Sequence, residues 1–427
     1  MPQPGPMACE PIPSLDRADF ADGTVLYSRA TPVRDLLRLD LVVRAGLQFQ
    51  PRPLVTQLAV SMLKEGCQGM SRGRIAERFD QYGAYVYYSW TMESAQVTLL
   101  TPRKRFRQAL TLLQRMYAAP LYPEKNLRLA LAQRFQSWQI EQEQVQSVAA
   151  RQLNLLLFGP EHPYGRILCP ADFEALERQD LLAFHEQFYR PENTFLVLTG
   201  DVRPDDLKLV ETVFGQSGAS PTGERFCLPK VPKACSSDIR RVHLPKPGSL
   251  QASIKLALPT VGQSHPDFVG LKVLNTLLGG YFGSRLMVSL REEKGYTYGI
   301  NSTHTVYRDK SFIDIDTQTA VGLIRPMTEG IFAEMRRLQE QPASPAEMNR
   351  LQRYLQGEYA RMQDGPFALA DLFLSAESSG MTMDDYPAHM QQMLALSAGE
   401  LQRLAQKYLN PEMFYLVCVG GNGNELE

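Results

Sequence analysis

FYRPENTFLVLTGD (188–201) and YLNPEMFYLVCVGG (408–421) are two versions of one pattern. In each, a helical stretch ends, a Pro-Glu turn follows, and an apolar strand runs into a glycine. Two more pairs extend the correspondence. LRLDLVVRAG (37–46) reads as an alternating strand and is matched by SIKLALPTVG (253–262). RIAERFDQYGAYVYYSWTMESAQVTLLT (74–101) is matched by LMVSLREEKGYTYGINSTHTVYRDKSFIDIDT (286–317). In both, a helix breaks at a glycine (Gly83 or Gly295) and two alternating strands follow. Such self-similarity points to an internal duplication. Each half also carries long helical stretches, 124–157 in the first and 324–340 with 345–363 in the second. The intervening SGASPTGERFCLPKVPKACSSD (217–238) is rich in Pro, Gly, Ser and Lys and reads as a linker. We therefore expect one domain over 15–218, a linker over 219–239 and a second domain over 240–422. Helices alternate with antiparallel-looking strand pairs rather than with single buried apolar strands. The expected fold class is α+β: two similar domains, each a mostly antiparallel sheet with helices packed on one face.

Composition narrows the function classes. The chain has 427 residues, 44% hydrophobic and 21% charged, which suits a soluble globular protein of two or more domains. Its net charge of −1 and lack of a dense basic run argue against electrostatic binding to nucleic acid or to a membrane surface. No window approaches the ~18 consecutive apolar residues of a spanning helix. The start, MPQPGPMACEPIPSL, has neither the basic nor the apolar region of a signal peptide, so a cytoplasmic location is expected. Cysteines 9, 67, 169, 227, 235 and 418 show no metal or redox spacing and read as reduced thiols. The histidines, at 162, 185, 243, 265, 304 and 389, are too scattered to form a local metal pair.

The segment PLVTQLAVSMLKEG (53–66) carries the most specific signal. Val55, Leu58, Ala59, Met62 and Leu63 form the apolar stripe of an amphipathic helix. Gln57, Val60 and Ser61 flank it at i, i+3, i+4 and project to one side. This segment resembles the inverted zinc motif, His-x-x-Glu-His, of the M16 metallopeptidases. In that family two histidines hold the ion and the glutamate takes a proton from its water. Here Gln57 and Ser61 stand at the histidine positions and Val60 at the glutamate position. The family's third ligand, a glutamate on a later helix, falls in RFQSWQIEQEQ (134–144) at Ser137 or Trp138; Glu141 and Glu143 lie nearby. The resemblance thus implies a member that holds no metal and has no cofactor of its own.

The second half keeps what the first has lost. LNTLLGGYFGSRLMVSLREEKGYTYGINS (274–302) is similar to the family's second-half signature, in which an Arg and a Tyr seven residues later reach into a zinc site. Here they are Arg291 and Tyr298. With Gly295 ending the helix, Arg291 is expected in the last turn and Tyr298 on the strand leaving it. Both are donors suited to a carbonyl gaining negative charge. Taken without the family, an Arg at a helix C-terminus favours the helix dipole and a strand Tyr is more often packing. GGYFGSR (279–285) lacks the ending of a phosphate loop. Its glycines read as helix breakers that permit close approach to the sheet, and the resemblance implies a substrate loop at Gly279, Gly280 and Gly283.

The resemblance covers essentially the whole chain. It implies two α+β domains facing each other as half of a clamshell, and peptide bound by addition to a sheet edge. It also implies a division of labour, in which a zinc-bearing M16 partner supplies the metal and this chain supplies Arg291 and Tyr298. The self-similar halves also allow a homodimer without that partner. The alternative function is a catalytically silent scaffold or a peptide-binding protein.

Overall fold

The structure is a computed structural model that describes residues 11–215, 226–308, 310–423 and 425. The first half runs β1 (Asp16–Asp19), β2 (Val25–Ala30), β3 (Leu36–Val43), α1 (Val55–Ser61), a small ribbon of β4 (Gly66–Cys67) and β5 (Met70–Ser71), α2 (Arg72–Tyr82), β6 (Tyr85–Trp90) and β7 (Ala95–Pro102). It continues with α3 (Phe106–Ala118), α4 (Glu124–Glu143), α5 (Val145–Phe158), α6 (Pro170–Glu174), α7 (Arg178–Phe188), β8 (Thr194–Gly200) and α8 (Pro204–Phe214). The second half runs β9 (Arg241–Leu244), β10 (Gln251–Thr260), α9 (Phe268–Asn275), β11 (Ile300–Val306), β12 (Ser311–Ala320), α10 (Ile324–Glu340) and α11 (Pro345–Met362). It ends with α12 (Ala368–Ser379), α13 (Asp385–Ala395), α14 (Ala398–Tyr408) and β13 (Tyr415–Val419).

The duplication is visible in the strand order. The first sheet is β1-β2-β8-β3-β7-β6, and the second, β11-β12-β10-β13-β9, repeats its last five strands in mirror order of listing. Only β2–β8 and β13–β9 pair in parallel; all other neighbours are antiparallel. The α+β reading of the sequence is borne out. The paired stretches 37–46 and 253–262 become the central strands β3 and β10, and each Pro-Glu turn becomes a single 3-10 turn leading into β8 or β13. The expected helical stretch 124–157 divides at Gln144, whose extended backbone (φ −88°, ψ 113°) separates α4 from α5. The expected linker lies partly outside the described residues. Its later part is extended chain tied to α5: Cys235 N–H donates to Phe158 O (3.0 Å) and Ser237 N–H to Leu156 O (2.8 Å).

The break at Gln144 has a structural consequence. α5 leaves its own domain and packs across the far face of the second sheet, against β10 and β13. Ala149, Leu153, Leu156 and Leu157 of α5 form one buried cluster with Ala257, Tyr415 and Val417. The second half reciprocates: Ala370 of α12, with Phe373 and Leu374 beside it, covers Val42, Phe195 and Val197 of the first sheet. Each sheet thus has its own helices on one face and a helix of the other half on the opposite face. This is why every residue of β8 and of β13 is buried, as central strands covered on both sides must be. Ion pairs line the same seams, Arg38–Asp371 (2.8 Å), Arg44–Glu377 (2.6 Å) and Lys246–Glu143 (2.7 Å). Exposed pairs contribute at most about 1 kcal/mol each, so the apolar seams hold the halves together.

Candidate functional site

α1 occupies the place of the zinc helix, but it is short and continues as a 3-10 turn over Met62–Glu65. Val60 does not flank the stripe, as its spacing suggested. It is 1% exposed and part of the core, because α1 packs against β6 and β7. Gln57 and Ser61 are half-buried, and Gln57 lines a cleft of about 490 Å³ with Arg134 and Tyr164. The third-ligand region is committed elsewhere. Trp138 stacks on Phe135 (5.5 Å) and contacts Phe173 (5.6 Å), and Ser137 Oγ donates to Gln133 O (3.2 Å). Glu141 is gripped by Arg134 (3.0 Å) and faces Arg151 (3.8 Å), and Glu143 by Lys246. Neither carboxylate can replace the lost ligand without breaking an ion pair. Among the described residues no group of three His, Cys, Asp or Glu side chains is placed to hold a metal ion.

The backbone around α1 still carries strain. Leu54 enters the helix at φ 73° and Tyr122 sits at φ 44°, left-handed values that cost a non-glycine residue of order 1–3 kcal/mol. Tyr122 is anchored to the helix by its hydroxyl, which donates to Ala59 O (3.0 Å). Beneath it, His185 Nε2 donates to Tyr117 O (2.7 Å) while its ring stacks on Tyr189 (4.6 Å). Burial pushes His185 down to about 4, outweighing the carbonyl hydrogen bond. His162 lies in a turn yet is 4% exposed, stacked on Phe158 (5.3 Å). These histidines are packing elements.

Arg291 and Tyr298 do come together. Residues Met287–Glu293 form a π-helix with Arg291 in its last turn, followed by Gly295 at φ 64°. Arg291 Nε donates to the backbone carbonyl of Tyr298 (2.8 Å), and its guanidinium lies over the Phe282 ring (4.8 Å). Tyr298 is not on the strand as expected: β11 begins at Ile300, and the turn before it leaves the Tyr298 ring 94% exposed. Tyr298, Phe282 and Gly279 line a cleft of about 590 Å³ that also receives Gln146 of α5. Gly279 is held tightly rather than loose, since a Cβ there would lie 2.6 Å from Ser302 Cβ and 3.0 Å from Leu286 Cδ1. Gly280 follows it in the π-helix Thr276–Gly280, and Gly283 lies in the turn beyond, against Tyr281. Gln57 of the degenerate motif and Tyr298 of the pair line different clefts.

One residue set was missed by sequence reasoning. The first sheet ends in β6, paired only on its β7 side, and Tyr85 (64% exposed), Tyr87 (58%) and Trp90 (39%) stand along it. The signal was present in YVYYSW, an aromatic run too exposed to be core.

Fold and site together define a metallopeptidase-like clamshell without the zinc motif. Residues 175–355, which include Arg291 and Tyr298, match the family model described as the peptidase M16 inactive domain. It is similar to the uncharacterized zinc protease YmxG of Bacillus subtilis, 22% identical over 298 residues, covering 69% of this chain and 71% of that protein. It is also similar to the uncharacterized zinc protease ML0855 of Mycobacterium leprae, 30% identical over 162 residues, where the match spans 37% of this chain and 36% of the relative. Among solved structures, the peptidase M16 inactive domain from Pseudomonas fluorescens has the same fold, with a TM-score of 0.85 at 22% identity, over 96% of this chain and 98% of that one. Among the described residues no helix is long and apolar enough to cross a membrane.

Proposed function

We propose that this chain is the zinc-free half of a heterodimeric M16-type peptidase, donating Arg291 and Tyr298 to the zinc site of a partner chain. The observation that carries this reading is the placement of the pair. Arg291 orients the Tyr298 turn through the backbone, and the Tyr298 ring projects into solvent at the mouth of a cleft. An aromatic 94% exposed contributes almost nothing to its own fold. Tyr298 also lines a different cleft from Gln57, so the pair does not serve the degenerate motif of its own chain. The open edge of β6, with its exposed aromatics, suits an extended peptide added as a further strand, whose backbone supplies the hydrogen bonds.

The test is peptidase activity against a quenched peptide, for the chain alone, for a zinc-bearing M16 protein from the same source, and for the mixture, with zinc measured in each. Activity confined to the mixture, with zinc in the partner alone, supports the proposal. Arg291→Ala should then lower turnover about 10²–10³-fold, the usual effect of removing one transition-state donor, without altering assembly. An inactive mixture, or unchanged turnover in Arg291→Ala, refutes it and favours the scaffold role.

A further inference from the structure

On the helical side of the second half, α9, α11 and α13 enclose a cavity of about 250 Å³ whose wall includes Gly280, at the start of the glycine-rich loop. Met362, Met381, Met390 and Met393 line it, and Lys272 and His389 supply its nitrogen groups. We propose that this cavity binds a small carboxylate with an apolar body, the carboxylate meeting Lys272 and His389 and the body lying against the methionines.

The charges decide the sign of the ligand. Lys272 has no ion pair and no hydrogen bond to its ammonium among the described residues; its Nζ lies over the Phe268 ring at 5.4 Å. Two histidines also contact that ring, His304 (5.3 Å) and His389 (5.9 Å), and the Nδ1 of each is buried without a partner. The nearby carboxylates are engaged: Glu358 pairs with Arg361 (2.5 Å), and Asp385 accepts from Thr382 N–H (2.7 Å). Methionine and histidine would suit a soft metal ion, but the unpaired ammonium repels any cation and attracts an anion. Burial lowers Lys272, and it lowers His304 and His389 too, with the Lys272 ammonium adding to the effect on both. A bound carboxylate gives the unpaired Lys272 ammonium a charge-assisted hydrogen bond and can accept from His389 beside it.

Size and wall chemistry define the rest. The volume falls below the ~300–1,000 Å³ typical of drug-sized ligand sites, so the ligand is small. Unbranched, polarizable thioethers adapt to varied apolar shapes, which suits a chain or ring without polar substituents.

The experiment titrates the full chain with decanoate, decanol and decylamine by calorimetry, and repeats it with Lys272→Met. Saturable decanoate binding is expected, with both uncharged and cationic analogues at least about tenfold weaker, the loss of one charged hydrogen bond. Lys272→Met should weaken decanoate by a similar factor and leave decanol unchanged. Spectra of methyl-labelled methionine in the wild-type protein give a check that needs no variant. Decanoate should move the resonances of Met362, Met381, Met390 and Met393 ahead of the others. Absence of decanoate binding, equal binding of decanol or decylamine, or shifts confined to other methionines would each overturn the proposal.

Discussion

Acidification from about pH 7.5 to 4.5 should destabilise this protein through His185 before its ion pairs are lost. His185 lies half-buried between α7 and α3, donating through Nε2 to Tyr117 O and stacked on Tyr189. Burial holds it at about 4 against the ordinary 6.5. The folded state therefore resists a proton that the unfolded chain accepts readily. For a group depressed in this way, the stabilisation is complete above 6.5, is lost progressively as pH falls, and is gone below about 4. At 1.36 kcal/mol per pKa unit, the depression corresponds to on the order of 3 kcal/mol, with a steepest slope of about 1.4 kcal/mol per pH unit. His304 is likewise held at about 4, by burial first and then by Lys272, and adds a similar slope. Urea midpoints across this range would measure the sum, and His185→Gln isolates one contribution. Glutamine can still donate to Tyr117 O but does not titrate. The variant should be less stable than wild type at pH 7.5, and the gap should close on the way to pH 4.5. A gap that stays constant across the range would refute the assignment of the pH dependence to His185.

Two further outcomes follow from the packing. Leu153→Ala empties a buried position of α5 on the foreign sheet and should cost about 2–5 kcal/mol, lowering one cooperative calorimetric transition for both halves; separate transitions would contradict the crossed-helix account. Restoring the motif with Gln57→His, Val60→Glu and Ser61→His should not yield stoichiometric zinc, because Glu141 is held by arginines and Trp138 by its aromatic neighbours. The triple variant should also lose several kcal/mol, on the order expected for a carboxylate placed in a core position; full zinc content at unchanged melting temperature would show that the site is still built.

Much of the fold was legible because the duplication repeats local signals, a Pro-Glu turn ahead of an apolar strand and a glycine ahead of two alternating ones. The exchange of helices was not inferred. Its signal lay in TFLVLTG (194–200) and YLVCV (415–419), continuous apolar runs that two-sided burial produces. They were seen as strands without asking what covers the second face. The Arg291–Tyr298 pair was legible only through the resemblance of residues 274–302 to the family's second-half signature, and its geometry depended on a π-helix whose wider turn no periodicity announces. The methionine cavity was invisible for a simpler reason: its wall comes from α9, α11, α13 and the chain before α13, and no short window holds more than two of its methionines.

On the proposed reading, the separation of the two clefts bears on how such a chain would keep half of a catalytic apparatus. Loss of zinc ligands on α1 removes chemistry from the first half, and the vacated positions are absorbed by packing, as Val60 and Trp138 show. Nothing in that absorption reaches Arg291, whose contacts are Tyr298 O and Phe282 within the second half. Packing therefore does not explain why an exposed tyrosine and an arginine without a carboxylate partner among the described residues stand together. On the proposed reading the explanation lies outside the chain, in a partner's metal site.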